Sequence, residues 1–406
     1  MKVSKTTLTG LTALIVWACS MPAEVVLAAG PSNSVPNTTL SFESEDSSFA
    51  WRFDARLYLD AAFYAENKNE LSNGIELRRG RFAIKARLWE TWNAEFDIDF
   101  AGNETDVEDA WISWMTGSTS VKVGNFKEPF GLERLTSSRR IPFMERSLPS
   151  ALTPGRQMGL AISRHGSRWF AAAGMFGQDI GDDHTAEDQG YAVTGRIAVA
   201  PINKQGRVFH LGAAATRRTP DAEDTGQSHV RLRTRPETHV YRSRFLDTGS
   251  IPDVEYTRAI GLEQAASIGR LSVQSEYLQL DVVRTGGAPD VSFQGAYAHL
   301  SWLITGKPRP YLAQEAEFGD IEPEGWAGAC EFAVRYSWLD LNDWDAGITG
   351  GEAENVTIGV NWYPNANVRL MCNFVIVNND AYADGRGRLQ GDDDFEFFQT
   401  RFQVCF

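Results

Sequence analysis

The sequence predicts an all-β fold, a transmembrane antiparallel β-barrel of about sixteen strands with inward-folded loops. Three observations predict it. Side chains alternate, two residues at a time, between apolar and charged faces. Beyond the N-terminal leader no run of 18 or more apolar residues occurs, which excludes a bundle of membrane-spanning helices. The chain closes on an alternating segment whose last residue is Phe406.

From the N-terminus, Lys2 and Lys5 precede an apolar stretch from about Leu8 to Cys19, with small residues at Ala28 and Ala29. This is the pattern of a secretory signal peptide over residues 1–29, expected to be cleaved on export. Its apolar core falls short of the ~20 residues a spanning helix needs. Cys19 behind small Ala18 offers a lipidation site as the rival, but Trp17 and the better cleavage site downstream argue against it. An extended segment over residues 30–50 and a barrel domain over 51–406 follow.

Mean hydropathy is -0.30, as expected when outward apolar residues are averaged with inward polar ones. An aromatic content of 11% can furnish the two interfacial girdles of a barrel. Loss of Lys2, Lys5 and Glu24 takes the net charge from -14 to -15, and this acidity argues against nucleic acid as a partner. It does not fix the sign of charge inside a pore. Cys330, Cys372 and Cys405 leave an odd number of thiols, read as three free side chains filling small spaces.

Alternation is clearest near the termini. Phe53, Ala55, Leu57, Leu59, Ala61 and Phe63 share one face, opposite Arg52, Asp54, Arg56, Tyr58 and Asp60. Gly80, Phe82, Ile84, Ala86 and Leu88 then oppose Arg79, Arg81, Lys85 and Arg87, and Ala94, Phe96, Ile98 and Phe100 oppose Asn93, Glu95, Asp97 and Asp99. A dry sandwich core would enclose these charges at several kcal/mol per unpaired ion; a water-filled lumen removes that cost. Further strands are expected near 107–115, 119–126, 157–164, 168–176, 190–200, 207–217, 255–268, 270–280, 290–303, 326–341, 353–364, 367–377 and 395–406. Short turns near Glu90, Gly117, His165, Gly269 and Asn365 alternate with longer loops, the asymmetry of periplasmic turns and extracellular loops. Residues 304–325 break that parity and carry Pro308, Pro310 and Pro323, so they are expected to fold into the barrel mouth. The long connections 127–156 and 218–254 are read as extracellular loops.

Several stretches resemble the phosphate-selective porin O and P family. The strongest runs Val123-Gly124-Asn125-Phe126-Lys127-Glu128-Pro129-Phe130-Gly131-Leu132-Glu133, through Leu135-Thr136-Ser137-Ser138-Arg139 and Phe143-Met144-Glu145-Arg146, to Pro154-Gly155-Arg156. Arg335-Tyr336-Ser337-Trp338-Leu339-Asp340-Leu341-Asn342-Asp343 with Gly350-Gly351, and Gly359-Val360-Asn361-Trp362-Tyr363-Pro364-Asn365, are also similar. The resemblance spans about Trp51 to Phe406. It implies a sixteen-stranded, homotrimeric outer-membrane porin for passive diffusion of small anions such as inorganic phosphate or polyphosphate. It further implies an arginine ladder, a constriction containing lysine, and third and fifth loops folded inward. Phe406 would serve as the signal read by outer-membrane assembly machinery. Residue-by-residue transfer holds for the Arg78-Arg79-Gly80-Arg81 run, the third-loop motif, the Arg-rich fifth-loop region and the last strand; no ladder lysine aligns.

The residues expected to line an anion pathway are Arg79, Arg81, Lys85 and Arg87, with Arg231, Arg233 and Arg235 on one face of the fifth loop. Guanidinium forks match phosphate oxygens and stay charged, so such a column can relay an anion. The other reading pairs the first set with Glu95, Asp97 and Asp99 to stiffen the wall. In the third-loop stretch Lys127, Arg134, Arg139, Arg140, Arg146 and Arg156 outnumber Glu128, Glu133 and Glu145, which favours a positive constriction. Glu128 and Glu145 could instead anchor the loop to wall arginines.

No metal or cofactor is expected. The histidines lack ligand spacing, and the acidic runs Asp340–Asp345 and Asp392–Asp394 lack the spacing and glycine of a calcium loop, so they are read as solvated. No nucleophile elbow, zinc-protease motif or phosphate loop occurs, which leaves an enzyme without support. A nonspecific diffusion porin remains the alternative to a phosphate-preferring one.

Overall fold

Sixteen long antiparallel strands pair in chain order and the last pairs with the first, closing a barrel. The computed structural model describes residues 41–46, 48–103, 105–181, 189–221 and 228–406. The expected signal peptide lies outside the described residues. The barrel strands are β1 (Phe49–Ala65), β2 (Gly74–Leu88), β3 (Trp92–Asp99), β4 (Asp106–Thr116), β5 (Thr119–Lys127), β6 (Arg156–His165), β7 (Trp169–Phe176) and β8 (Ala192–Lys204). They continue as β9 (Arg207–Arg218), β10 (Val254–Ile268), β11 (Leu271–Arg284), β12 (Val291–Leu303), β13 (Ala329–Asp343), β14 (Ile348–Tyr363), β15 (Val368–Asn379) and β16 (Phe395–Cys405). Each lies where alternation placed a strand.

The alternation has the physical consequence the sequence implied. Leu57, Phe63, Phe82, Ile84, Ile162, Ile197, Leu262, Ile358 and Phe402 point outward and are exposed, an apolar band that water would not tolerate and lipid would. The largest enclosed side chains include Arg196, Arg335, Arg369 and Arg401, all inside the barrel. Closure runs from Arg56 opposite Cys405 to Ala65 opposite Glu396, and the Phe406 amide donates to the Ala55 carbonyl at 2.9 Å. Among the described residues, Cys330, Cys372 and Cys405 form no disulfide.

Strict alternation fails at one place that matters. Arg79 pairs with Tyr58 and Leu77 with Leu59, so Arg78 is an extra residue on β2. This bulge turns both Arg78 and Arg79 inward, where pure period-two counting would send Arg78 to lipid. A second irregularity lies at Gly124 on β5, whose φ is 129°. A Cβ there would collide with the Ala110 carbonyl and sit 2.7 Å from Trp111 Cα. Gly124→Ala is therefore expected to destabilise the β4–β5 pair by about 1–3 kcal/mol, read as a lower temperature for loss of the folded barrel band on a semi-native gel.

The short turns, the start of β1 and the end of β16 share one end of the barrel. The exception at that end is residues 304–328, which turn inward as expected, their two short strands Tyr311–Leu312 and Glu317–Phe318 forming a hairpin. At the other end residues 128–155, hereafter loop 3, and the described part of 219–253, loop 5, also fold into the lumen. Buried Phe130, Leu148 and Leu152 of loop 3 pack with Leu232, Phe245 and Ile251 of loop 5 against wall residues such as Leu339 and Val375. Asp393, expected to be solvated, is instead buried, because it accepts hydrogen bonds from the Lys68 and Asn69 amides at 2.8 and 3.0 Å.

Candidate functional site

Loop 3 is held off-centre by polar straps to the β11–β16 side of the wall. The Glu276 carboxylate on β11 accepts from the Leu132 and Glu133 amides at 2.6 and 2.8 Å, at the start of the short helix Leu132–Leu135. Glu145 takes Arg78 at 2.8 Å and Arg401 at 2.9 Å. Arg335 bridges Glu133 of loop 3, at 3.3 Å, and Glu237 of loop 5, at 2.5 Å. Ser337, Asn361, Arg369 and Asn373 bind the loop's main chain. Glu128 pairs with Arg218. The glutamates thus anchor the loop to wall arginines, one of the two roles read from the sequence.

The lumen left open is a cavity of about 1180 Å³ against β1–β8, roofed by loop 3. Its lining carries fourteen Arg and Lys against seven Asp and Glu, a surplus opposite in sign to the chain's net charge of -14. All six third-loop cations line it, as do Arg79, Arg81, Lys85 and Arg87. Lys127 and Arg156, however, are the last residue of β5 and the first of β6, so they belong to the wall at the loop's base.

The structure divides these cations by partner. Arg81 meets Asp99 at 2.9 Å, Asp97 at 3.8 Å and Glu108; Lys85 meets Glu95 at 3.0 Å and Asp54 at 3.2 Å; Arg87 meets Glu43 at 2.9 Å. Arg156 meets Glu108, and Asp109 at 2.8 Å. These side chains face the lumen and are ion-paired, and the partners of Arg81 and Lys85 on the neighbouring strand are the ones the wall reading named. Arg79 is less satisfied: Glu108 stands 4.0 Å away and its Nε has no hydrogen-bond partner. Arg139 is clamped by Asp320 at 2.7 Å, and Arg140 by Asp320, Glu315 and Glu317 at 3.3, 3.1 and 2.6 Å.

Lys127, Arg134 and Arg146 differ. Among the described residues their hydrogen bonds go to main-chain carbonyls: Lys127 to Leu135 at 2.9 Å, Arg134 to Pro154 at 3.0 Å, Arg146 to Glu133 and Thr136 at 3.0 and 2.7 Å. Carbonyl dipoles orient these groups without cancelling their charge. Burial, then the facing charges of Arg146 and Arg156, pushes the Arg134 guanidinium down to about 9. With Arg156 they form a cluster of cations close enough to repel one another.

The fifth-loop arginines sit elsewhere. Arg231 and Arg233 flank buried Leu232, and they and Arg235 lie outside the cavity lining. Arg231 is bound to Asp247 at 2.5 Å, and Arg235 donates to the Arg242 carbonyl at 3.2 Å. The site residues named from the sequence left out Arg52, Arg56, Lys122 and Arg196, which also line the cavity; Arg52 and Arg56 were placed only on the polar face of their strand. The signal for Lys122 was available: Val121 and Val123 face outward on β5, which turns the intervening lysine inward.

A family model described as phosphate-selective porin O and P matches residues 52–406. Porin O of Pseudomonas aeruginosa is 27% identical over 90% of this chain and 91% of its own length. An uncharacterized protein of Caulobacter vibrioides is 29% identical over 93% of this chain and 75% of its own. Among solved structures, the anion-selective porin from Comamonas acidovorans superposes with a TM-score of 0.55 at 13% identity, over 88% of this chain and all of that one, a likeness of fold.

Proposed function

This chain belongs to the phosphate-selective porin O and P family of the outer membrane, and on that premise we propose that it passes small phosphate-like anions by passive diffusion. The observation that carries this reading is the positive surplus on the cavity wall, concentrated at Lys127, Arg134 and Arg146. An oxyanion entering beneath loop 3 meets donors already aimed by main-chain carbonyls, so little reorganisation opposes binding. Paired Arg81, Arg87 and Arg156 give it weak sites before and after, because a carboxylate competes for each. Throughput needs such sites, since a tight one would hold its ion.

The assignment extends to a homotrimer, an exported precursor with a signal peptide over residues 1–29, and Phe406 as the assembly signal, all as the family resemblance implies. A channel without catalytic activity, cofactor or metal is the corresponding reading of the chemistry. The heavy ion pairing of Arg139, Arg140, Lys85 and Arg87 favours a second reading, a general diffusion porin with only weak anion preference. Phosphate titration of chloride current through purified channels in planar bilayers separates the two. Saturable block supports the phosphate site; current that falls only in proportion to chloride dilution rejects it.

A further inference from the structure

The inturned segment 304–328 brings two carboxylates into the cavity. Arg196 on β8 donates to the Glu315 and Ala316 carbonyls at 3.2 and 3.0 Å, and Tyr311 meets His210 on β9 at 2.7 Å. Phe318 packs with Leu132 of loop 3. Ala316 has φ of 52°, a left-handed bend between the two acids. So held, Glu315 and Glu317 both reach the same Arg140 nitrogen, at 3.1 and 2.6 Å. Their carboxyl groups lie close enough to share a hydrogen bond, and the second oxygen of Glu317 is buried with no other donor.

We propose that Glu315 and Glu317 are a specificity-determining pair that shares one proton beside Arg140, so that proton loss adds a negative charge to the lumen and weakens anion passage. The proposal rests on the anion-channel reading above. A proton between the two carboxyls satisfies the otherwise bare oxygen; two bare carboxylates at this separation repel in partly dry surroundings. Burial first, and then Glu315, pushes Glu317 up to about 7. Burial opposes ionisation of Glu315 as well, but the Glu317 hydrogen bond and the Arg140 charge hold it below its ordinary value. The surroundings include Arg139 and Arg140 from loop 3, Lys122 and Lys127 from β5, Arg196, His210 and Glu263 from β8–β10, and Tyr311 and Asp320 from the segment itself. Below neutral pH the pair carries one negative charge, and above it two. Anion preference must therefore fall as pH rises through about 7.

The test is reversal potential in a KCl gradient, with sulfate block of chloride current, from pH 5.5 to 8.5. Sulfate keeps its charge over this range, whereas phosphate does not. The native channel is expected to lose anion preference across neutrality, with the half-blocking sulfate concentration rising roughly threefold to tenfold. E317Q should hold the low-pH behaviour throughout. E315Q should move the step to lower pH, because Glu317 loses its negative neighbour. Unitary conductance steps confirm that each variant has formed a channel. A native channel flat between pH 6 and 8, or a step that survives in E317Q, overturns the pair. A pore that prefers cations at every pH would sink the anion reading, while a step lost in E317Q would still support the pair.

Discussion

Replacing Arg134 and Arg146 together by glutamine is expected to raise the half-blocking phosphate concentration roughly tenfold to a hundredfold, with unitary conductance little changed. Each guanidinium removed deletes a charge-assisted hydrogen bond worth about 1.5–3 kcal/mol to a bound oxyanion, part of which water restores. Both side chains are oriented by carbonyls of loop 3 itself, so glutamine retains donors while losing charge. Arg81→Gln, by contrast, leaves Asp97 and Asp99 without their cation while Glu108 keeps Arg156, and should lower selectivity by adding negative potential as well as by losing positive. Sulfate or phosphate titration of single-channel current distinguishes the outcomes. An unchanged half-blocking concentration in the Arg134/Arg146 variant would place the anion path away from the underside of loop 3.

Arg335→Ala should have the largest effect on architecture. This buried guanidinium stands between Glu133 and Glu237, donates to the Glu145 carbonyl at 3.0 Å and lies 4.4 Å over the Phe143 ring. Its removal strands two buried carboxylates, at about 3–5 kcal/mol, and frees loops 3 and 5 from their common tie. The expected channel is noisier, more conductive and less selective, and its folded band is lost at lower temperature. Adding Glu133→Gln and Glu237→Gln to the alanine variant removes the stranded charge and should recover part of the stability. If conductance and noise match the native channel, the hydrophobic contacts of Phe130, Leu148 and Leu152 hold the loop without the ion pairs.

Sequence alone carried the barrel, because a strand's alternation is a local property and a wet lumen lets charge mark one face without ambiguity. It carried the inward turn of residues 304–325, which the structure extends to 328, through a parity argument: a segment with that length and three prolines did not fit among the short turns. Pairing was less legible. Arg139 and Arg140 meet partners about 180 residues away on that segment, and no local pattern announces a contact set by two loops folding toward each other. Arg78 escaped because one extra residue on β2 shifts the alternation, and bulges leave little trace in a single sequence. Nothing in the local sequence sets Glu315 and Glu317 apart; the hairpin places both on one arginine.

The fifth-loop arginines show the reverse limit. Arg231, Arg233 and Arg235 do alternate as expected, but buried Leu232 between them turns that face away from the cavity beneath loop 3. Spacing told which residues stand together and left open what they stand against. The sign of the lumen was legible in the third-loop cations and not in the total: a wall with twice as many cations as acids sits in a chain of net charge -14.

Zero-current potential across a steep KCl gradient, measured on the purified channel at pH 6, probes that wall most directly. A fixed positive surplus lets chloride carry most of the current, so the voltage should take the sign set by chloride equilibrium and grow as salt is diluted and screening weakens. A voltage set by potassium, or one near zero at every dilution, would contradict the account.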